Sequence, residues 1–164
     1  MSSLRATGST AALVAIYYLL PLNRSSTGDA VAILVIGLLV FIGLVAFQIR
    51  SIVRSRYPAL RAVEALATSV PLFLLLFASA YVVIATISAS NFGERLTHTD
   101  ALYFTVTVFS TVGFGDITAK TEAARLVVTA QMVSDLLIIG LGLRVIVGAV
   151  TFSRRQRPGA EPPG

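Results

Sequence analysis

Seven consecutive residues, Ser110, Thr111, Val112, Gly113, Phe114, Gly115 and Asp116, lie between two long apolar stretches. Their chemistry is that of the backbone rather than of side-chain acids, bases or nucleophiles. A cation stripped of water needs a cage of oxygens, and a peptide supplies one when successive carbonyls point toward a single axis. That geometry alternates ordinary and left-handed dihedrals, and Gly113 and Gly115 take φ > 0 without steric penalty. Thr111 adds a hydroxyl to its carbonyl. Thr111, Val112, Gly113 and Phe114 therefore offer a ladder of oxygen rings once several chains surround one axis, with Gly115 at its outer end.

The rest of the chain must hold such a loop in place. Of 164 residues, 55% are hydrophobic and 13% charged, and the mean hydropathy is +0.84, which excludes a soluble domain with an ordinary polar surface. Spans of about 20 apolar residues cross a bilayer, and four segments qualify: residues 6–22, 30–47, 65–89 and 123–152. The first has a short uninterrupted apolar part and contains Pro21, so a cleaved signal peptide is its competing interpretation. Residues 91–99 read as an external loop, and residues 100–110 as a short helix entering the glycine-containing loop. Asp100 in the first turn of that helix complements the positive end of its dipole, while the negative end faces whatever lies below the loop. Non-helical backbone is tolerated at membrane depth where it is buried in protein and lines a watery path. The expected fold is an all-α membrane protein with four transmembrane helices, a re-entrant helix and a loop.

The net charge of +5 does not point to nucleic acid, because its placement follows the membrane. Arg50, Arg54, Arg56 and Arg61 separate the second and third spans, and Arg154, Arg155 and Arg157 follow the fourth. The positive-inside rule puts both clusters in the cytoplasm, with both termini, and leaves the loop outside. Voltage sensing is not expected of the first cluster, since its arginines sit among Ser51, Ser55 and Pro58 rather than at every third position of an apolar helix. With no cysteine there is neither a disulfide nor a thiolate metal site. His98 reads as a solvated loop residue, and Asn23-Arg24-Ser25 matches a glycosylation acceptor pattern that often occurs by chance.

Residues 65–152 resemble the outer helix, pore helix, selectivity filter and inner helix of the tetrameric potassium-channel family. The six positions Thr111 to Asp116 match its filter signature, with Phe114 where tyrosine is commoner. The resemblance implies K+ as permeant ion, coordinated by Thr111, Val112, Gly113 and Phe114. It implies Ser110 and Asp116 as supporting residues and Tyr103 and Phe104 as an aromatic cuff; ordinary apolar core is the alternative for that pair. Thr107 stands where some members carry a glutamate that shares a proton with the filter aspartate, so Asp116 is expected to be ionised at neutral pH. One loop per chain implies a homotetramer with three further copies. The implied domains are accessory helices with a basic linker (1–64), the pore (65–152) and a disordered cytoplasmic tail (153–164). No cofactor, catalytic residue or nucleic-acid partner is expected, and the plasma membrane is the expected location.

Asp135 and Arg144 interrupt the fourth span, and ionisable groups at such depth are functional candidates. Asp135 is expected near mid-membrane below the filter, facing either the cavity, where four carboxylates would concentrate cations, or sideways to a neighbouring pore helix or Ser134. Nine residues at ~100° each put Arg144 on the opposite side of the helix. Gly140 and Gly142 are hinge candidates, with close helix packing as the alternative.

A competing enzyme reading starts from Gly113-Phe114-Gly115-Asp116, which fits the Gly-x-Gly-Asp pattern of intramembrane aspartyl proteases, with Asp135 as the second carboxylate. The order opposes it, since the other aspartate precedes that pattern in those enzymes. A nonselective cation channel and a nonconducting accessory subunit are the remaining alternatives.

Overall fold

Inside hydrocarbon only a helix satisfies every backbone group within its own segment, and the spanning elements among the described residues are all helices. The computed structural model describes residues 2–19, 27–54 and 58–155. Five α-helices occur there: α1 (Ser2–Leu19), α2 (Thr27–Val53), α3 (Pro58–Ile87), α4 (His98–Phe109) and α5 (Glu122–Arg155), with a 3₁₀ turn at Ala89–Asn91. Pro21, Asn23-Arg24-Ser25, Arg56, Arg157 and the tail 158–164 lie outside the described residues.

Among the described residues, three helices are long and apolar enough to cross a membrane: Val31–Ile52, Arg61–Ile87 and Glu122–Arg144. They coincide with the second, third and fourth expected spans. The first expected span is not among them, because the leading half of α1 is rich in Ser and Thr, carries Arg5, and turns apolar only from Ala11. The apolar end of α1 is nonetheless packed inside the protein. Tyr17 is buried with Leu75 and Ala78 of α3, and Leu13, Val14 and Leu102 pack around them.

α3 is the central helix, with α1, α2, α4 and α5 all packed against it. α2 approaches closely where Gly37 faces Leu76; a Cβ there would come within 3.2 Å of that side chain. Further along the same seam Phe41 meets Phe73, and Ser69 Oγ donates to Gln48 Oε1 at 2.6 Å.

The core sits at the end of α3 nearest α4. Tyr81, Phe92 and Phe104 form three mutual edge-to-face pairs with centroids 5.1 to 5.7 Å apart, the arrangement that the ring quadrupole favours. Asn91 ties this end of α3 to the start of α5. Its Nδ2 donates to Ile84 O, its Oδ1 accepts from Thr121 Oγ1, and its carbonyl accepts from Lys120 N. These bonds fix the two ends between which α4 and the following loop are suspended.

Candidate functional site

α4 begins where a capping box allows it. Thr97 Oγ1 accepts from Asp100 N, and the Asp100 side chain accepts from Thr97 N at 2.9 Å, so two orphan donors of the first turn are satisfied reciprocally. Asp100 thus lies in the first turn, as expected. His98 is only half-exposed rather than fully solvated: its carbonyl accepts from the Tyr17 hydroxyl at 2.6 Å, and its ring meets that of Tyr17 edge-on.

The other end of α4 leaves carbonyls without helical partners, and the loop uses them. Thr107 O accepts from Val112 N at 3.0 Å and from Gly113 N at 3.2 Å, while Thr111 N donates to Val108 O at 3.0 Å. Ser110 Oγ adds a weaker donation to Thr107 O at 3.3 Å. The loop backbone is therefore anchored to the helix on one side, which leaves its other side open.

Positive φ occurs at Thr111 (59°), Gly113 (53°) and Gly115 (79°), and Thr111 is the one non-glycine residue with positive φ among those described. Val112 and Phe114 between them keep negative φ. This strict alternation is the backbone pattern that turns successive carbonyls to one side, and the glycines accommodate it freely. For Thr111 the left-handed conformation costs about 1–2 kcal/mol, and its amide bond to Val108 helps to hold it. The residues 110–116 are all exposed on the protomer, and a Cβ built at Gly113 or Gly115 would meet nothing within 4 Å.

Tyr103 and Phe104, expected to act together, part company. Phe104 is buried in the aromatic core just described, the alternative considered for it. Tyr103 faces the loop: its ring lies parallel to that of Phe114, 3° between planes and 6.2 Å between centroids. The Tyr103 hydroxyl, more than any other cause, holds the Asp116 carboxyl below the usual carboxylate range. Phe114 lacks a hydroxyl, but stacking supplies a lateral contact.

A cavity-facing position for Asp135 does not agree with its placement. A side chain lining an axis between copies would be exposed on one protomer, whereas Asp135 is 3% exposed. It belongs to the stripe Ala124, Val128, Gln131, Asp135 by which α5 packs inside the chain. The periodicity explains this, because these positions recur at three- and four-residue intervals on one helical face. Gln131 is the centre of a buried network. Its Oε1 accepts from the Tyr81 hydroxyl of α3 at 2.5 Å. Its Nε2 donates to the Thr105 carbonyl of α4 at 3.1 Å and, more weakly at 3.3 Å, to Asp135 Oδ2. The second oxygen, Asp135 Oδ1, is buried without a partner. Asp116 and Asp135 thus have separate partners, and no dyad is formed between them.

Of the hinge candidates, Gly140 faces open space and Gly142 faces Leu66 of α3, 3.9 Å from a built Cβ. Arg144 is exposed, away from the buried Asp135 stripe. Tyr81, Gln131 and Asn91 escaped the sequence reading. A glutamine within an apolar span, four residues before an aspartate, was the available signal for the network.

Comparison with known proteins agrees with this geometry. A model of the family described as ion channel matches residues 69–152, just over half of the chain. The potassium channel protein kcv of Paramecium bursaria Chlorella virus 1 is 42% identical over 52 residues, 32% of this chain and 55% of the viral protein. The match therefore spans about half the length of that relative. No solved structure matches the chain. The family match covers α4, the loop and their two flanking helices together, and on that ground the chain belongs to the ion channel family.

Proposed function

We propose that four copies of this chain surround one axis and conduct K+ passively through stacked carbonyl rings of Thr111, Val112, Gly113 and Phe114. The observation that carries the reading is the alternation of positive φ at Thr111, Gly113 and Gly115 on a loop anchored to α4 along one side and exposed on the other. A lone protomer offers one wall of such a cage, and closure by a cyclic arrangement of copies supplies the rest. Potassium sheds its water, occupies several oxygen rings and moves on by repulsion between neighbouring ions. The relative named as a potassium channel supports K+ as the ion. No bond is made or broken in this process.

The orientation follows from charge and packing. α1 is about 27 Å long at ~1.5 Å per residue, and Tyr17 near its end contacts His98 at the start of α4; both support a reading of α1 as a fourth crossing that runs toward the filter end. Arg50, Arg54 and Arg61, at the adjoining ends of α2 and α3, mark the other side as the cytoplasm by the positive-inside rule, with both termini, and the plasma membrane is the proposed location. α1 and α2 are then accessory helices outside the pore unit.

The test is cation flux into liposomes holding only the purified protein, with K+ and Na+ gradients in parallel. K+-selective flux that disappears in Gly113→Ala supports the reading. Equal Na+ flux replaces it with a nonselective pore, and silence under every gradient removes conduction by this chain alone.

A further inference from the structure

Toward the end of the molecule opposite the filter, α2, α3 and α5 enclose a groove of about 470 Å³. Its walls include Ile49 and Ile52 of α2, Leu66 and Val70 of α3, and Leu137 and Leu141 of α5. The two polar side chains on the α2–α3 seam, Gln48 and Ser69, are hydrogen-bonded to each other. They present little unmet polarity to a ligand, so the groove is an apolar slot.

The groove continues into basic surroundings. A smaller cavity shares Gln48, Ile52 and Ala65 with it and adds Phe47, Ser51 and Arg61. Beyond lies a cavity of about 510 Å³ lined by Phe47, Arg50, Ser51, Arg54 and Arg61. Three guanidinium groups thus surround the mouth. The nearby acid is Glu64, 3.6 Å from Arg61, which leaves a local charge of +2 (three arginines less one glutamate). Among the described residues, Arg50 and Arg54 have no carboxylate partner.

We propose that this continuous slot is a binding site for an anionic phospholipid of the leaflet opposite the filter, its phosphate held by Arg50, Arg54 and Arg61 and an acyl chain lying in the groove. The chemistry selects this occupant. The groove volume falls in the range of sites that enclose a small amphiphile, about 300–1,000 Å³, whereas a helix of ~10 Å diameter does not enter it. Arginine forks match phosphate oxygens bidentately. A zwitterionic headgroup brings a cation that the site cannot match, because Glu64 is already engaged by Arg61. The apolar slot receives hydrocarbon that water-soluble phosphates lack. Because Leu137 and Leu141 form one wall, the occupied site ties the α2–α3 pair to the part of α5 that carries Gly140. The proposal rests on the membrane-spanning helices and is independent of which ion, if any, crosses.

The chain contains no tryptophan, so a single introduced indole reports without background. Full-length Ile49→Trp, within the groove, and Leu39→Trp, 63% exposed on α2 and outside the groove, are placed in phosphatidylcholine vesicles. Each receives increasing brominated-chain phosphatidylglycerol or brominated-chain phosphatidylcholine. The expected result is stronger quenching of the groove indole by the glycerol lipid, with the preference falling roughly fivefold for each arginine replaced by alanine, and no preference at the Leu39 site. Circular dichroism checks that the arginine variants keep their helices. Equal quenching by the two lipids at the groove overturns the proposal, as does a preference that survives replacement of all three arginines. Protection of the groove indole from both lipids, with the Leu39 site quenched, also overturns it by placing protein over the groove.

Discussion

The Tyr81 hydroxyl of α3 and Gln131 of α5 are joined by a 2.5 Å hydrogen bond, and the same glutamine reaches the Thr105 carbonyl of α4. One side chain thus links the helices on both sides of the loop to the short helix that carries it. The Thr105 hydroxyl donates to Ala101 O, so this buried residue is bonded through both its side chain and, by way of Gln131, its carbonyl. Gln131→Leu leaves the Tyr81 hydroxyl buried without its acceptor, at an expected cost of about 1–3 kcal/mol, and removes a side-chain donor from the Thr105 carbonyl. Tyr81→Phe removes one partner and should cost less. A double-mutant cycle on thermal unfolding of the reconstituted protein checks this, with strong non-additivity expected for groups in one network.

Asp135→Asn is predicted to leave single-channel conductance unchanged in patch-clamp recordings, because the carboxylate is enclosed within the protomer. A marked fall in conductance in this variant would put the side chain on the conduction path. Asp135→Leu is a different case: it removes the buried, unpartnered Oδ1 together with the acceptor of Gln131.

Asp116 is stabilised in its charged form by the Tyr103 hydroxyl. Its folded pKa lies below the unfolded one, so the associated stabilisation is present above the ordinary carboxylate value and is lost as pH falls through the lowered folded value. In Tyr103→Phe the carboxyl should titrate at higher pH, back toward the ordinary carboxylate range. The ¹³C carboxyl resonance of Asp116, followed against pH in both proteins, reads the difference directly. An unchanged midpoint would remove Tyr103 as the partner.

The glycines divide into two groups by what their backbones do. Gly113→Ala and Gly115→Ala place a side chain at positive φ, at about 1–2 kcal/mol of strain per chain, and should abolish flux even though neither Cβ meets a neighbour. Gly140→Ala in the interior of α5 has open space and should stabilise the helix by about 1 kcal/mol. If Gly140→Ala with Gly142→Ala leaves open probability unchanged in single-channel records, the pair does not serve as a hinge.

Local chemistry is written along the chain, and so the apolar spans of α2, α3 and α5, the acid in the first turn of α4, and the need for left-handed backbone at Gly113 and Gly115 were all legible from residue types and spacing. Each depends on near neighbours: the reach of a helix across hydrocarbon, an acid in a first turn, the missing Cβ of a glycine. Thr111 was not legible in this way, because nothing in a threonine asks for φ > 0; the carbonyls at the end of α4 impose it. The separation of Tyr103 from Phe104 and the inward turn of Asp135 were likewise decided in three dimensions. Adjacent residues on a helix project about 100° apart, and which of them meets the loop and which the core depends on where α3 and α5 lie. Residue types and spacing suffice for a membrane-spanning, helical chain with a glycine loop between its last two spans. Which polar groups belong to that loop and which to the interior is settled by packing, because buried hydrogen bonds such as those of Gln131 join residues far apart in the chain, and their partners exist only once the helices have packed.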